Sequence, residues 1–164
     1  MHKMMTAAAA ALMLSATTAC AQDAPPSEDH SQDAAWHNRQ MLAVASLKAA
    51  DGWGVLPGNV RWRRTAGNGA GAHPAVTDTV RIHYTGTFID GTQFDTSVGG
   101  PPAEFPLDRL IKAWQVAVPM AGVGDTIEIV APADMAYGPT TRGPIPGGAT
   151  LKFTIQLLGI VPAG

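Results

Sequence analysis

The residues of this sequence that are best suited to chemistry are aromatic and acidic, and they favour binding over bond cleavage. The stretch IHYTGTFIDGTQFD, residues 82–95, has the alternation and the Asp-Gly turn of a hairpin. It carries Tyr84, Phe94 and Asp95 where an ordinary hairpin would hold more Val and Ile. A closed core would have to satisfy the polar tips of its tyrosines and the charge of a buried carboxylate. A half-open aromatic pocket accounts for all of these residues.

This pocket needs a floor and walls, which the predicted elements supply from distant parts of the chain. The large residues that these elements direct toward one short helix are Tyr84, Phe94, Ile111, Trp114, Tyr137 and Phe153. We expect the indole to form the floor, with tyrosine and aspartate groups around the rim.

Other kinds of site find little support in the sequence. Histidines at 30, 37, 73 and 83 include no pair spaced i, i+3 or i, i+4, which argues against a metal site. Ser97 and Asp95 have no histidine in their segment, so hydrolase chemistry is not indicated. The glycines of residues 67–74 lack the GxxxxGK pattern and a following helix, which favours a plain turn. We therefore predict no metal and no cofactor.

Composition is consistent with one globular domain and some additional segments. The chain has 164 residues, 46% hydrophobic and 15% charged, which is enough apolar material for a core. Its 18 glycines and 13 prolines favour short strands joined by turns. The net charge of -2 and the absence of a basic patch argue against nucleic-acid binding.

Hydrophobic periodicity predicts an α+β domain over residues 54–161. Strand patterns occur at residues 59–66, 80–85, 127–129 and 151–158, the last with Leu151, Phe153, Ile155 and Leu157 inward. Leu107, Leu110, Ile111 and Trp114 have the spacing of one helical face. Together these elements predict an antiparallel sheet of five to six strands wrapped around one short helix.

The first 52 residues have a different organisation. Residues 1–20 predict a secretory signal peptide. Two processing alternatives remain open: cleavage after Ala21, or a lipobox-like site that would make Cys20 a lipidated N-terminus. Residues 21–33 predict a flexible tether, and residues 34–52 a helix with Asp33 as N-cap and Gly52 as stop. We expect this helix to pack on the domain through Trp36, Gln40, Val44 and Leu47.

Four stretches, in the order of the family's motifs, resemble the FKBP-type peptidyl-prolyl cis-trans isomerases. They are VRIHYTGTFIDGTQFDTS, EFPLDRLIKAWQVAVPMAGVGD, DMAYG and IPGGATLKFTIQLL, and the resemblance covers residues 54–160. It implies an FKBP-like fold and isomerisation of X-Pro bonds in unfolded or partly folded exported proteins. It also implies binding of macrolide inhibitors.

The resemblance also implies roles for particular residues. The Ile111 N–H and the Tyr137 hydroxyl would bind substrate carbonyls, while Tyr84 and Asp95 would form a polar pair beside the proline ring. The remaining substrate-binding positions would be Phe94, Leu110, Trp114, Ile145 and Phe153.

Four departures from the family pattern accompany these matches. Ala113 stands where the family usually has glycine, and Gly147 replaces the second proline of Ile-Pro-Pro, which predicts a looser loop. Ala103 is expected in the place of one pocket aromatic, and residues 96–104 lack the arginine that often pairs with the aspartate.

A non-catalytic alternative is a chaperone module that holds proline-containing segments without turnover, because fold and activity can separate. For either function we expect the protein to be exported to the periplasm of a bacterium, with the membrane contacted only through a lipid on Cys20.

Overall fold

The computed structural model describes residues 28–161. The proposed signal peptide, Cys20 and the first part of the tether lie outside these residues. In chain order the helices and strands are α1 (Ala34–Ala45), β1 (Gly54–Leu56), β2 (Val60–Ala66), β3 (Thr79–Phe88), β4 (Gln93–Thr96), β5 (Ala103–Pro106), α2 (Lys112–Ala117), β6 (Thr126–Ala131) and β7 (Leu151–Val161). None of the described helices is long and apolar enough to span a membrane.

The strands form one antiparallel sheet in the order β1-β2-β6-β7-β3-β4, with β5 also paired to β3. The expected fold class is confirmed, but the sheet has seven strands rather than five or six. The additional strands are short: β1 has three residues, and β4 and β5 have four each. Strands of this length show too little alternation to be identified from sequence.

The long strand β7 shows how the sequence pattern produces the core. Leu151, Phe153, Ile155 and Leu157 are buried against α2 and the rest of the sheet, while the intervening Lys152, Thr154 and Gln156 are exposed. Full burial of one such apolar side chain contributes roughly 1.5–3 kcal/mol before entropy is considered. The alternation thus directs one face of the strand inward, as predicted.

The helix on the inner face of the sheet begins later than its periodicity suggests. Leu107–Arg109 form a 3₁₀ turn, Leu110 and Ile111 are extended, and α2 starts only at Lys112. The prediction of one continuous helical face from Leu107 to Trp114 was therefore wrong. A six-residue helix is unstable alone, so tertiary packing decides where it starts, and the burial of Ala113, Trp114 and Ala117 holds it in place.

The N-terminal helix α1 packs on the domain as expected, although it is shorter than predicted. The Asp33 carboxylate accepts a hydrogen bond from the Trp36 N–H at 2.8 Å, as a helix N-cap does. The helix ends at Ala45, and residues 49–51 form a separate 3₁₀ turn before Gly52. The Gln40 side-chain oxygen accepts from the Thr150 N–H at 2.9 Å, and the Thr150 hydroxyl donates to the Gln40 carbonyl at 3.1 Å.

A buried carboxylate ties the chain after α2 to the loop that follows β2. Asp125 is only 2% exposed and accepts from the N–H groups of Gly122 and Gly69 and from Arg64 Nε, at 2.9, 3.0 and 2.8 Å. Burial by itself would raise the pKa of Asp125, but these donors together outweigh burial and lower the pKa below its ordinary value. The ionised form is therefore favoured by the folded state.

We predict that Asp125→Asn lowers the free energy of unfolding by about 2 kcal/mol at pH 7, because the amide leaves buried donors without acceptors. The stabilisation that the ionised carboxylate provides is present above its unfolded-state pKa. The stabilisation begins to fall below about pH 4, the pKa of an unfolded aspartate, and is lost as the pH falls through the lowered folded-state pKa, where the two proteins converge. Urea unfolding followed by tryptophan fluorescence at several pH values measures this difference.

Asp51→Asn serves as the control, since the Asp51 side chain is exposed on the 3₁₀ turn after α1. A difference between wild type and Asp125→Asn that stayed constant down to pH 3 would contradict the role given to the charge.

Candidate functional site: an aromatic cavity between the sheet and α2

A cavity of about 140 Å³ lies between α2 and the inner face of the sheet. Its lining residues come from six separate parts of the chain: Tyr84, Phe94, Asp95, Phe105, Leu110, Ile111, Trp114, Tyr137 and Phe153. The volume is well below the roughly 300–1,000 Å³ of pockets for drug-sized ligands. A cavity of this size suits one small apolar ring.

The Trp114 indole is held in place by two other rings. Its centroid lies 5.4 Å from that of Tyr84 and 5.3 Å from that of Phe153, with interplanar angles of 77° and 85°. Such edge-to-face contacts are favourable because of the ring quadrupoles. The indole Nε1 is buried and has no hydrogen-bond partner within residues 28–161. Trp114 is only 4% exposed, yet it contributes to the cavity wall, as a floor would.

The adjacent residues Phe94 and Asp95 both line the cavity, which regular strand alternation would forbid. A β-bulge resolves this conflict: Gly86 pairs with Asp95 and Thr87 pairs with Gln93, so Phe94 is the extra residue of β4. Gly86 provides the space for the rings at the bulge. A Cβ at Gly86 would lie 2.7 Å from Phe94 Cζ and 3.0 Å from Phe153 Cε1.

The polar rim consists of one carboxylate and two phenols. The Tyr84 hydroxyl donates to Asp95 Oδ2 at 2.6 Å. Burial, together with this hydrogen bond and the negative charge of Asp95, raises the pKa of Tyr84 well above its ordinary value. Burial also raises the pKa of Tyr137, and the charge of Asp95 adds to the effect. Both phenols are therefore protonated donors at neutral pH.

The loop between β6 and β7 carries Tyr137 to the mouth of the cavity, where it is 38% exposed. Two backbone bonds shape this loop: the Gly138 N–H donates to Ala133 O at 2.8 Å, and the Gly148 N–H to Gly138 O at 2.9 Å. A Cβ at Gly147 would overlap the Pro139 carbonyl oxygen. The close approach of two chain segments therefore requires glycine at position 147.

Eight of the nine pocket residues expected from the sequence line this cavity, and Ile145 does not. Ile145 is buried in the core and pairs with Arg142 through two backbone hydrogen bonds of 2.9 and 3.0 Å. Sequence reasoning also missed Phe105, whose ring lies 6.0 Å from that of Tyr84. Ala103, expected in place of a family aromatic, is not among the lining residues. Phe105 lies in the four-residue strand β5, which is too short for alternation to identify.

The family of the chain follows from comparison of its sequence with known proteins. The sequence model of the FKBP-type peptidyl-prolyl cis-trans isomerases matches residues 71–158, which contain every residue that lines the cavity. The chain belongs to this family.

Members of the family with similar sequences and structures include bacterial proteins. The chain is 46% identical over 93 residues to the FKBP-type peptidyl-prolyl cis-trans isomerase FkpA of Aeromonas hydrophila, covering 56% of this chain and 35% of FkpA. It is 42% identical over 122 residues to the outer membrane protein MIP of Legionella longbeachae, covering 73% of this chain and 52% of MIP. The chain thus spans about half or less of the length of these curated relatives.

A solved structure of a bacterial peptidyl-prolyl cis-trans isomerase has a similar fold. The peptidyl-prolyl cis-trans isomerase of Pseudomonas syringae pv. tomato superposes with a TM-score of 0.72 and 29% sequence identity. The match covers 78% of this chain and 95% of that protein.

The electrostatics of the rim can be tested directly, because Tyr84 and Tyr137 are the only two tyrosines of the chain. We predict that both titrate above the ordinary pKa of tyrosine. In Asp95→Ala both pKa values should fall, that of Tyr84 more, because it loses a hydrogen bond as well as a neighbouring charge. Absorbance at 295 nm against pH measures both groups, and the Tyr137→Phe background isolates Tyr84.

Asp51→Ala removes a carboxylate that contacts neither phenol and should leave both titrations unchanged. Circular dichroism at each pH ensures that the folded protein is being titrated. An unaltered Tyr84 titration in folded Asp95→Ala would refute the assigned coupling.

Proposed function

We propose that this protein is a peptidyl-prolyl cis-trans isomerase acting on X-Pro bonds of exported proteins during folding. The observation that carries the proposal is the small aromatic cavity with Trp114 in its wall and the Tyr84–Asp95 pair at its rim, in a chain of this family. The same cavity is the proposed site for macrolide inhibitors.

The reaction needs neither a nucleophile nor a metal. Rotation about a peptide bond has a barrier of about 18–20 kcal/mol because resonance gives the C–N bond partial double-bond character. An acceleration of about four decades requires only about 5.5 kcal/mol of preferential binding to the twisted amide. Shape and environment can supply a difference of this size.

The cavity would act on the amide in two ways. Water stabilises the charge separation of the planar amide, and an apolar aromatic environment removes part of that support. The twisted amide has less C–N double-bond character and less charge separation. It therefore loses less of the stabilisation by water when it enters the cavity. Meanwhile the proline ring, seated against Trp114, would be held while the preceding carbonyl rotates.

Two hydrogen-bond donors would hold the chain on either side of the proline. Ile111 precedes the first turn of α2, and its N–H has no partner within the described part of the chain. Tyr137 projects a protonated hydroxyl at the mouth. Each hydrogen bond to a substrate carbonyl would contribute about 0.5–1.5 kcal/mol net. Asp95 would act through Tyr84, whose ring forms part of the wall.

We predict that Tyr137→Phe lowers kcat/KM for a short X-Pro peptide by roughly 2- to 10-fold, because the variant loses one hydrogen bond to the substrate. Asp95→Ala should lower it by a similar factor, because the Tyr84 hydroxyl is then left without its acceptor beside the bound ring. A protease-coupled assay measures both rates, and unchanged unfolding free energies show that the fold is intact.

Full activity in both folded variants would show that the cavity is not the catalytic site. If the wild-type protein fails to accelerate isomerisation but still suppresses aggregation of a refolding client, the function is that of a proline-binding chaperone module instead.

We further propose that the protein is exported, consistent with the leader-like residues 1–20 and with the similarity to an outer membrane protein. Mass spectrometry of protein recovered from a bacterial envelope should show a chain that lacks residues 1–19 and carries lipid on Cys20, or one that begins at Gln22. A chain that retains its leader would contradict export.

A further inference from the structure

The side chain of Gln115 binds the backbone that leads into α2. Gln115 lies four residues after Ile111, and its Nε2 donates to the carbonyl oxygens of Leu110 at 2.8 Å and Asp108 at 3.1 Å. Carbonyl oxygens only accept hydrogen bonds, so the amide nitrogen and not the amide oxygen must face them. Both N–H donors of the side-chain amide are thus used on this one segment.

The Leu110 carbonyl belongs to the same peptide unit as the Ile111 N–H. A trans peptide unit is planar, with its C=O and N–H directed oppositely. Whatever holds the carbonyl therefore also sets the direction of the N–H. Leu110 and Ile111 both line the cavity, on either side of this peptide unit.

The helix itself does not hold this peptide unit. Leu110 and Ile111 are extended, with φ/ψ of −89°/172° and −58°/149°. The first backbone hydrogen bonds of α2 run from the N–H groups of Trp114 and Gln115 to the Ile111 carbonyl, which belongs to the next peptide unit. Ile111 occupies the N-cap position but has no side-chain acceptor or donor for capping.

We propose that Gln115 is a positioning residue that aims the Ile111 N–H at the substrate. This inference rests on the proposed function, in which that N–H binds a substrate carbonyl. A hydrogen bond to the Leu110 carbonyl also polarises the peptide unit, and consecutive hydrogen bonds strengthen one another. Gln115 therefore makes the Ile111 N–H both better directed and a stronger donor, without touching the substrate.

Gln115→Glu tests this role while keeping the shape of the side chain, because a carboxylate oxygen then faces two carbonyl oxygens. We expect KM for an X-Pro peptide to rise about 3- to 10-fold with kcat changed less than 2-fold, since the N–H binds planar and twisted substrate alike. The ¹⁵N–¹H resonance of Ile111 should shift in the absence of substrate. Gln115→Met removes both donors without adding charge and should shift KM in the same direction by a smaller factor.

Gln156→Glu is the matched control, because it makes the same charge change on the exposed side of β7. It should leave KM and the Ile111 resonance unchanged. Unchanged KM and an unmoved Ile111 resonance in folded Gln115→Glu and Gln115→Met would overturn the proposal. A fall in stability with kcat and KM both intact would overturn it as well, because the role would then be merely structural.

The positioning role and the proposed function fail in distinguishable ways. If the wild-type protein shows no turnover, the proposed function fails. The positioning role is then decided by the Kd of the same peptide, followed through the Ile111 resonance. A Kd raised about 3- to 10-fold in Gln115→Glu supports the role, and an equal Kd overturns it.

Discussion

The Trp114 indole packs edge-on against the rings of Tyr84 and Phe153, with centroids 5.4 and 5.3 Å apart, and so joins α2 to β3 and β7. The helix has only six residues and could not persist alone. Its position depends on this aromatic contact and on the burial of Ala113 and Ala117. The same ring belongs to the main hydrophobic core and to the wall of the cavity. Core packing and ligand binding therefore share one side chain, and the cavity is the space that the core leaves open beside it.

Glycine and an irregular strand are what keep that space open. A side chain at Gly86 would meet the rings of Phe94 and Phe153, and the bulge at Phe94 lets two consecutive residues face the same side. The carboxylate of Asp95 is thereby brought to the Tyr84 hydroxyl. A regular hairpin would have directed either the phenyl ring or the carboxylate outward. The departure from regular geometry is thus a condition for having an apolar wall and a polar rim in one place.

Two polar groups of the cavity, the Tyr137 hydroxyl and the Ile111 N–H, are held by segments outside the strands of the sheet. Tyr137 is placed by a loop whose close approach requires Gly147, and the segment before α2 is tied down by Gln115. The α1 helix packs against part of the same loop. Hydrogen bonds between Gln40 of α1 and Thr150 hold the end of the loop next to β7. Rigid support of this kind is what a site without covalent chemistry requires, because binding geometry is then its only means of acting.

Much of the fold could be predicted from the sequence, because period-two alternation and burial are local consequences of residue type. A few neighbouring residues were enough to predict the inward face of β7, the Asp33 cap and the buried face of α1. The family motifs also identified eight of the cavity residues, since each motif carries its residue types in order. Short strands such as β1 and β5 escaped prediction, because three or four residues cannot display a period. Phe105 was missed with them.

The sequence by itself determined which side chains are available: an indole, two phenols, one carboxylate and the apolar strand faces that enclose them. Only the tertiary structure decided where α2 begins, that Ile145 lies in the core rather than at the cavity, and that a bulge turns Phe94 inward. These outcomes depend on contacts between segments far apart in the chain. Local residue preferences are too weak to specify such contacts, and close packing selects among the alternatives that they leave.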